Sequence, residues 1–499
     1  MSVSTSTQAA SGGLRRVLPF RTVVSTSTGL AYAAISLLSC VQIAAFLAGD
    51  SAWIALLVAG ALALLAAFCF SELNALYPTA AAVRQYITVS FNEGSSLTIT
   101  YGYVLTVVAV IAADSYVVGK AISFVFPQTP VLLWIFIILG LAAAANLLGI
   151  KIAGLLQDLT TFALLISLAA ISIVALAHGG FQLHQPFAAV NTPVNLINAV
   201  AVGVFTFSAF EWVTPLSEEV NNTRLIPRGM FISLGLLFIS YALFTVACTN
   251  LIGIQHLCTN IGKDNQVCSA VPQMLLGRAA LGQVGVYWML AATLFTGVMT
   301  FNGGFATASR FLYAAAREAT LPMAFARLNN RLVPWVTVIA LAAASAAVAV
   351  VVTFSSAYGT LILVGAVLEG LIYAVAGLCV IRLRRLKRDT ARSFLIPLGW
   401  TIPILAVIVF SLLAVLAAIT PTPLPLAITV GIFVLAFLYV RLVVPRLKIA
   451  AEARHQALAA RRPRRPQRAE AVSAPADSET VAAGPVPGEV SLGTEEETD

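Results

Sequence analysis

Charge is what this sequence has least of. Of its 499 residues only 29 are Lys or Arg and 21 are Asp or Glu, while 59% are hydrophobic. A water-soluble domain of this size cannot cover itself with so few charges, so lipid must be the solvent for most of it. Histidine is scarcer still. His178, His184, His256 and His455 read as loop or tail residues, which leaves no proton relay and no metal ligand set. The six cysteines make no metal-binding pattern either, and no Ser-His or Cys-His constellation supports a membrane enzyme. No cofactor and no metal are expected.

What the chain has instead is length of apolar run. A bilayer core needs roughly 20 apolar residues per helix. About twelve such spans are readable, near 22–47, 52–73, 97–125, 130–149, 153–177, 194–215, 229–253, 283–308, 334–353, 358–381, 396–419 and 425–444. Uninterrupted runs favour helices over the alternation of a barrel. "MSVSTSTQAASGGLRRVLPF" has no apolar core ahead of its basic residues, so no cleavable signal peptide is expected.

The basic residues orient the spans. With the N-terminus in the cytoplasm, Arg84, Lys151, Arg224, Arg228, Arg310, Arg317 and the cluster 382–388 fall inside with both tails. Only Lys120, Lys263 and Arg278 fall outside. The net charge of +8 is this bias and calls for no nucleic-acid partner. Cys40, Cys69, Cys248 and Cys379 lie in or at the ends of spans and read as buried small hydrophobes. Cys258 and Cys268 share a polar outer loop, where an oxidising exterior could join them or leave two free thiols.

Three regions follow: a cytoplasmic N-terminal tail (1–20), one integral domain (21–448) and a C-terminal tail (449–499). The last is rich in Pro, Ala, Glu and Arg, has no apolar periodicity and is expected to be disordered. Within the domain, "VVSTSTGLAYAAISLL" (23–38) sets Ser25, Thr26, Ser27, Thr28 and Gly29 inside an apolar run, and "VGVFTFSAFEWVTPLSEE" (202–219) interrupts the sixth span. Broken helices in corresponding positions of two halves point to a transporter built from inverted repeats, with its site at the breaks. The hydroxyl-rich stretch is therefore expected to unwind. The alternative is Ser and Thr back-bonding within an intact helix.

Three longer patterns then resemble one family. "FSELNALYPTAAAVRQYI" (70–87), "FTFSAFEWVTPLSEEVNNTRLIPRGM" (205–230) and "NGGFATASRFLYAAAREATLP" (302–322) are similar to signatures of the amino acid–polyamine–organocation (APC) superfamily permeases. The resemblance spans about 20 to 445. It implies an all-α integral membrane protein of the leucine-transporter type: two inverted five-helix repeats with helices one and six broken, plus two peripheral helices. It also implies transport of amino acids or amines by exchange or with protons, through a site between helices one, three, six, eight and ten.

Residue by residue, Ser27, Thr28 and Gly29 match the family's Gly-Ser-Gly, which holds a substrate carboxylate, with Ser27 in place of the first Gly. Phe205 matches an aromatic that closes over substrate. Ser208, Ala209 and Phe210 cover the unwound stretch of helix six, with Ala209 where Gly is usual, and Glu211 matches an acidic position implicated in proton sensing. Some relatives carry a Lys six residues after Asp158, in the place a sodium ion takes in others. Here that position is Leu164.

Ionisable groups inside spans are costly and so are candidates for function. Asp114 lies near mid-depth in span three and either faces a substrate amine, carries a proton or is a structural carboxylate. Glu369 in span ten is either a gate or a hydrogen-bonding group. Glu72, Glu218 and Glu219 are expected to form an inner-gate network with Arg84, Arg224, Arg228 and Arg317. The sequence reads as a plasma (inner) membrane permease, by pH-modulated exchange or by obligatory proton symport. Its partners are a small-molecule amino acid or amine, the bilayer and possible coupled protons. The rival from another class is a sensor that binds the same ligand without flux.

Overall fold

A computed structural model describes residues 16–47, 52–180, 193–259, 261, 267–355, 358–419 and 423–461. The chain divides into two units, 1–451 and 452–499. His184, Lys263, the first 15 residues and the tail beyond 461 lie outside the described residues.

The first unit is helical nearly throughout. In chain order the helices are α1 (Phe20–Ala31), α2 (Ala34–Phe46), α3 (Ala52–Leu76), α4 (Val83–Ser90), α5 (Glu93–Val125), α6 (Val131–Leu147), α7 (Ile150–Gly179) and α8 (Pro193–Phe207). A 3-10 segment, Phe210–Leu216, continues α8. Then come α9 (Leu225–Leu251), the single turn α10 (Ile254–Leu257), α11 (Pro272–Arg317), α12 (Trp335–Ser355), α13 (Tyr358–Leu386), α14 (Thr401–Ile419), α15 (Leu424–Leu442) and α16 (Val444–Arg461).

Among the described residues ten helices are long and apolar enough to cross a membrane, or eleven if α1 and α2, bent by 54°, are one span. The twelve expected from sequence requires α6, a shorter apolar helix of 17 residues, to be counted as well. The tail expected to be disordered from 449 is helical as far as Arg461, because "IAAEARHQALAAR" is made almost wholly of good helix formers.

Burial sorts the helices into centre and rim. In the apolar window of 194–216, which covers α8 and the 3-10 segment, 83% of residues are buried, against 17% in that of 424–454. Helices α14 and α15 turn Leu412, Leu435 and Phe437 outward, as a lipid-facing surface should. Small residues let the central helices approach. A stripe of Ala55, Ala59, Ala63 and Ala67 lies buried along α3, and a Cβ added at Gly203 of α8 would come within 2.7 Å of Ala59. Without a hydrophobic driving force between helices in lipid, such close backbone packing is what holds them together.

The two ends of the bundle are built differently. At the end that carries residue 16, backbone N–H groups of Val17 and Leu18 donate to Glu219 O at 2.9 and 3.0 Å, and Leu18 forms a parallel bridge with Val220. The start of α1 is thus fastened to the segment after the broken sixth span. At the other end a two-stranded antiparallel pair, β1 (Cys258–Thr259) and β2 (Val267–Cys268), is joined by a Cys258–Cys268 disulfide. Cys258 Sγ lies 4.0 Å from Val41 O of α2, so the hairpin rests on that half-helix. Both cysteines should therefore resist a thiol-reactive label applied to intact cells until a reductant is added. Immediate labelling of both would show that they are free.

Candidate functional site

The hydroxyl-rich stretch is not where helix one breaks. Residues 25–29 are helical within α1, and the interruption falls at Tyr32 and Ala33, three residues later. Three of the four hydroxyls, those of Ser25, Ser27 and Thr28, have found partners that leave the helix intact. Thr28 Oγ1 back-bonds to Val24 O (2.8 Å) and reaches Ser233 of α9 (3.1 Å). Ser25 Oγ donates to Asp158 Oδ1 of α7 at 2.5 Å. Ser27 Oγ donates to Phe210 O of the 3-10 segment at 2.7 Å. Ser and Thr serve here as links between helices, which apolar side chains cannot provide.

Gly29 is tightly packed. A Cβ there would lie 1.8 Å from Gln157 Nε2 and 2.7 Å from Met299 Cγ, so its bare backbone is pressed against α7 and α11. Its smallness admits those two side chains. Thr28 faces α9. Ser27 hydrogen-bonds to the broken sixth span.

At the true break the freed backbone groups are met by side chains from other helices. Tyr241 Oη donates to Ala31 O at 2.7 Å, and Ser36 Oγ donates to the same oxygen at 2.9 Å. On the far side, Ile35 N–H at the start of α2 donates to Asp114 Oδ1 of α5 at 3.0 Å. A carboxylate at a helix N-terminus meets both unpaired N–H groups and the positive end of the dipole. Asp114 is fully buried, and its Oδ2 has no hydrogen-bond partner among the described residues.

The second break falls where the sequence placed it. α8 ends at Phe207, and Ala209 sits at φ +74°, a left-handed conformation that costs an L-residue roughly 1–2 kcal/mol. The usual Gly would adopt it freely. Ser208 Oγ donates to Phe205 O at 2.7 Å, closing the last turn of α8. The Phe205 ring packs on Gly365 of α13, where a Cβ would come within 2.5 Å of it. The Phe210 ring lies 6.0 Å from that of Tyr373.

Just beyond, Glu211 is held by two phenols. Tyr103 of α5 donates to Oε1 at 2.5 Å and Tyr373 of α13 donates to Oε2 at 2.9 Å. Glu369 of α13 lies near enough to interact with Glu211, and its Oε2 has no hydrogen-bond partner among the described residues. Around this pair stand Tyr103, Trp212 and Phe311, with the rings of Tyr103 and Trp212 4.1 Å apart.

Sequence reasoning missed Tyr103 and Tyr373, because a lone Tyr in an apolar helix carries no signal of what it meets. It also passed over Asp158, although an Asp inside an apolar run was itself a signal. Asp158 accepts from Thr22 (3.0 Å) and Ser25, and pairs with Arg21 at 2.9 Å, tying α1 to α7. Beside it Gln157 Nε2 donates to Ser25 O at 3.2 Å, while Asn302 Nδ2 of α11 donates to Gln157 Oε1 at 3.4 Å. Leu164, at the expected Lys position, is buried.

The charge network at the residue-16 end exists with other partners than expected. Glu72 is gripped by Arg384 (2.8 Å) and Arg392 (2.6 Å) and accepts from Ile396 N–H (3.1 Å). Glu219 pairs with Arg310 at 3.3 Å. Burial pushes its carboxyl up and the guanidinium opposes that shift. Glu218 caps Ala80 N–H at 2.9 Å, and Arg84 pairs with Glu93 and Glu318. Arg224 and Arg228, expected in the network, line a cavity of about 360 Å³ instead. Among the described residues, no group of His, Cys, Asp and Glu is arranged to hold a metal ion.

The sequence profile of the family described as amino acid permease matches residues 19–442. An uncharacterised transporter of Mycobacterium tuberculosis is 25% identical over 323 residues, 63% of this chain and 70% of that protein. The large neutral amino acids transporter small subunit 2 of Homo sapiens is 28% identical over 293 residues, 55% of this chain and 52% of that one. The mitochondrial cationic amino acid transporter 3 of Arabidopsis thaliana is 24% identical over 312 residues, 57% and 49% of the two chains. The match thus spans about half the length of these last two. Among solved structures, a sodium-coupled sialic acid symporter in a substrate-bound, outward-open state superposes with TM-score 0.52. It has 14% identity and covers 82% of this chain and 90% of that one, which shows a shared fold.

The packing at Gly29 makes a direct prediction. Gly29→Ala should lower thermal stability by about 1–3 kcal/mol, the usual penalty for overpacking a tight contact. Thermal unfolding of the purified variant in detergent measures it. An unchanged midpoint would show that α7 and α11 do not press on this residue.

Proposed function

The chain belongs to the amino acid permease family, and on that premise we propose that it exchanges amino acids or related amines across the plasma (inner) membrane. It is a multi-pass membrane transporter and not an enzyme. The finer reading is secondary transport by alternating access, with exchange modulated by pH and both termini cytoplasmic. The observation that carries it is the pair of interrupted helices at the bundle centre, each with a buried carboxylate beside its break. Interrupted backbone at membrane depth lines a binding site in this class of transporter.

The two breaks lie in elements that can move together. Ser27 joins α1 to Phe210, and Leu18 joins the start of α1 to Val220. A rocking unit containing both would have to release Arg21 from Asp158 and Glu219 from Arg310 to open the residue-16 end. Glu211 is the group chosen to sense pH. It faces Tyr103, Tyr373 and Glu369, and among the described residues no Lys, Arg or His is paired with it. Obligatory proton symport is the second reading, favoured by the unused oxygens of Asp114 and Glu369.

Purified protein in liposomes decides between them. Labelled substrate should enter several-fold faster when the lumen holds unlabelled substrate, as expected for alternating access without a driving ion. Glu211→Gln should flatten the pH dependence more than it weakens binding, since Gln keeps the shape and loses the titration. Concentrative uptake into empty liposomes under a proton gradient alone would replace exchange with symport. A ligand-induced thermal shift with no flux in either assay would make the protein a sensor.

A further inference from the structure

The start of α2 is the place where a half-helix N-terminus would receive a ligand's anionic group. In this chain that place is already taken. Asp114 Oδ1 accepts from Ile35 N–H at 3.0 Å, with the Ala34 N–H and the Thr300 hydroxyl beside the carboxylate. The 13-residue α2 starts inside the bundle, and Asp114 has no exposure to solvent. Among the described residues, its second oxygen meets no donor in good hydrogen-bond geometry, and the Thr300 hydroxyl beside the carboxylate has no other partner.

The charge balance points the same way. Among the described residues, the buried acids Glu72 and Asp158 have arginine partners, Arg384 and Arg21. Asp114, Glu211 and Glu369 have none. The basic residue nearest to Asp114 on α5 is Lys120, which is exposed and lies over the Tyr116 ring, 5.6 Å from its centroid. The buried arginines Arg84 and Arg310 are committed to Glu93, Glu318 and Glu219. A buried carboxylate with one oxygen unused is costly unless a cation or donor completes it.

We propose that Asp114 supplies from the chain itself the carboxylate that a ligand would otherwise bring to α2, so that the site selects an amine carrying no carboxylate. The ammonium donates to Asp114 Oδ2 and to Thr300 Oγ1. A ligand carboxylate has no positive end left to meet and is repelled by Asp114. This deepens the transporter reading and rests on it.

Matched pairs test it in the reconstituted full chain: lysine against cadaverine, and leucine against isopentylamine. Each pair differs only by the carboxylate. In each, the amine should compete at about tenfold lower concentration, the worth of one charge-assisted hydrogen bond. Asp114→Asn should narrow that gap from both sides. Thr300→Val, which leaves the cap on Ile35 in place, should weaken the amines several-fold and leave lysine and leucine unchanged. If lysine and leucine outcompete their amines, or Asp114→Asn weakens both members of a pair equally, the assignment of Asp114 falls while exchange stands. If none of the four exchanges, the transporter reading falls and this inference with it.

Discussion

Everything near the centre of this molecule follows from one constraint: an interrupted helix in lipid must satisfy its own backbone. Lipid offers no hydrogen-bond partner, and each buried N–H or C=O left unpaired costs about 1–3 kcal/mol. The chain meets the demand with side chains from distant helices. Tyr241 reaches Ala31 O, Asp114 reaches Ile35 N–H, and Ser27 reaches Phe210 O. Each bond crosses from one element to another, so the breaks cannot shift without moving α5, α9 or the 3-10 segment as well. Local irregularity has thereby become a mechanical coupling between helices.

The carboxylates divide by what they do under that constraint. Asp158 and Glu72 are tied to arginines near the residue-16 end and act as fasteners between helices. Asp114 and Glu211 sit beside the breaks without a basic partner among the described residues, held by a backbone N–H in one case and two phenols in the other. Tyr103 and Asp114 are eleven residues apart on α5, roughly 16 Å along the helix. The two acids therefore serve separate depths of the bundle. Fastening charges hold one conformation, while unpaired charges remain available to a cation or a proton.

The ends of the bundle are held by different chemistry. At one end, ion pairs and a parallel bridge join α1 to the segment after the sixth span, contacts that can break and re-form. At the other, a disulfide stiffens a small hairpin that rests against α2. Releasable contacts thus lie at one end of the bundle and a covalent brace at the other.

Apolar runs alone determined that this is a helical membrane protein, because a helix pairs its backbone groups within one uninterrupted run, whereas a barrel, the other structure that can do so in lipid, shows alternation. The Ser208–Ala209 break was legible too, since 202–219 interrupts the sixth span and the family resemblance sets the unwound stretch at Ser208, Ala209 and Phe210. The Ser25–Gly29 stretch misled, and for a physical reason. Hydroxyls weaken a helix only when they have nothing better to bond, and whether Asp158, Phe210 O and Ser233 lie within reach is a property of the packing. The same holds for Gly29, whose neighbours are Gln157 and Met299. The pairing of Glu211 with Tyr103 and Tyr373 joins residues 108 and 162 positions apart. A sequence displays the type of each group and its place along the chain. Which groups meet across the bundle, and so which acid is fastened and which is left free, only the tertiary structure decided.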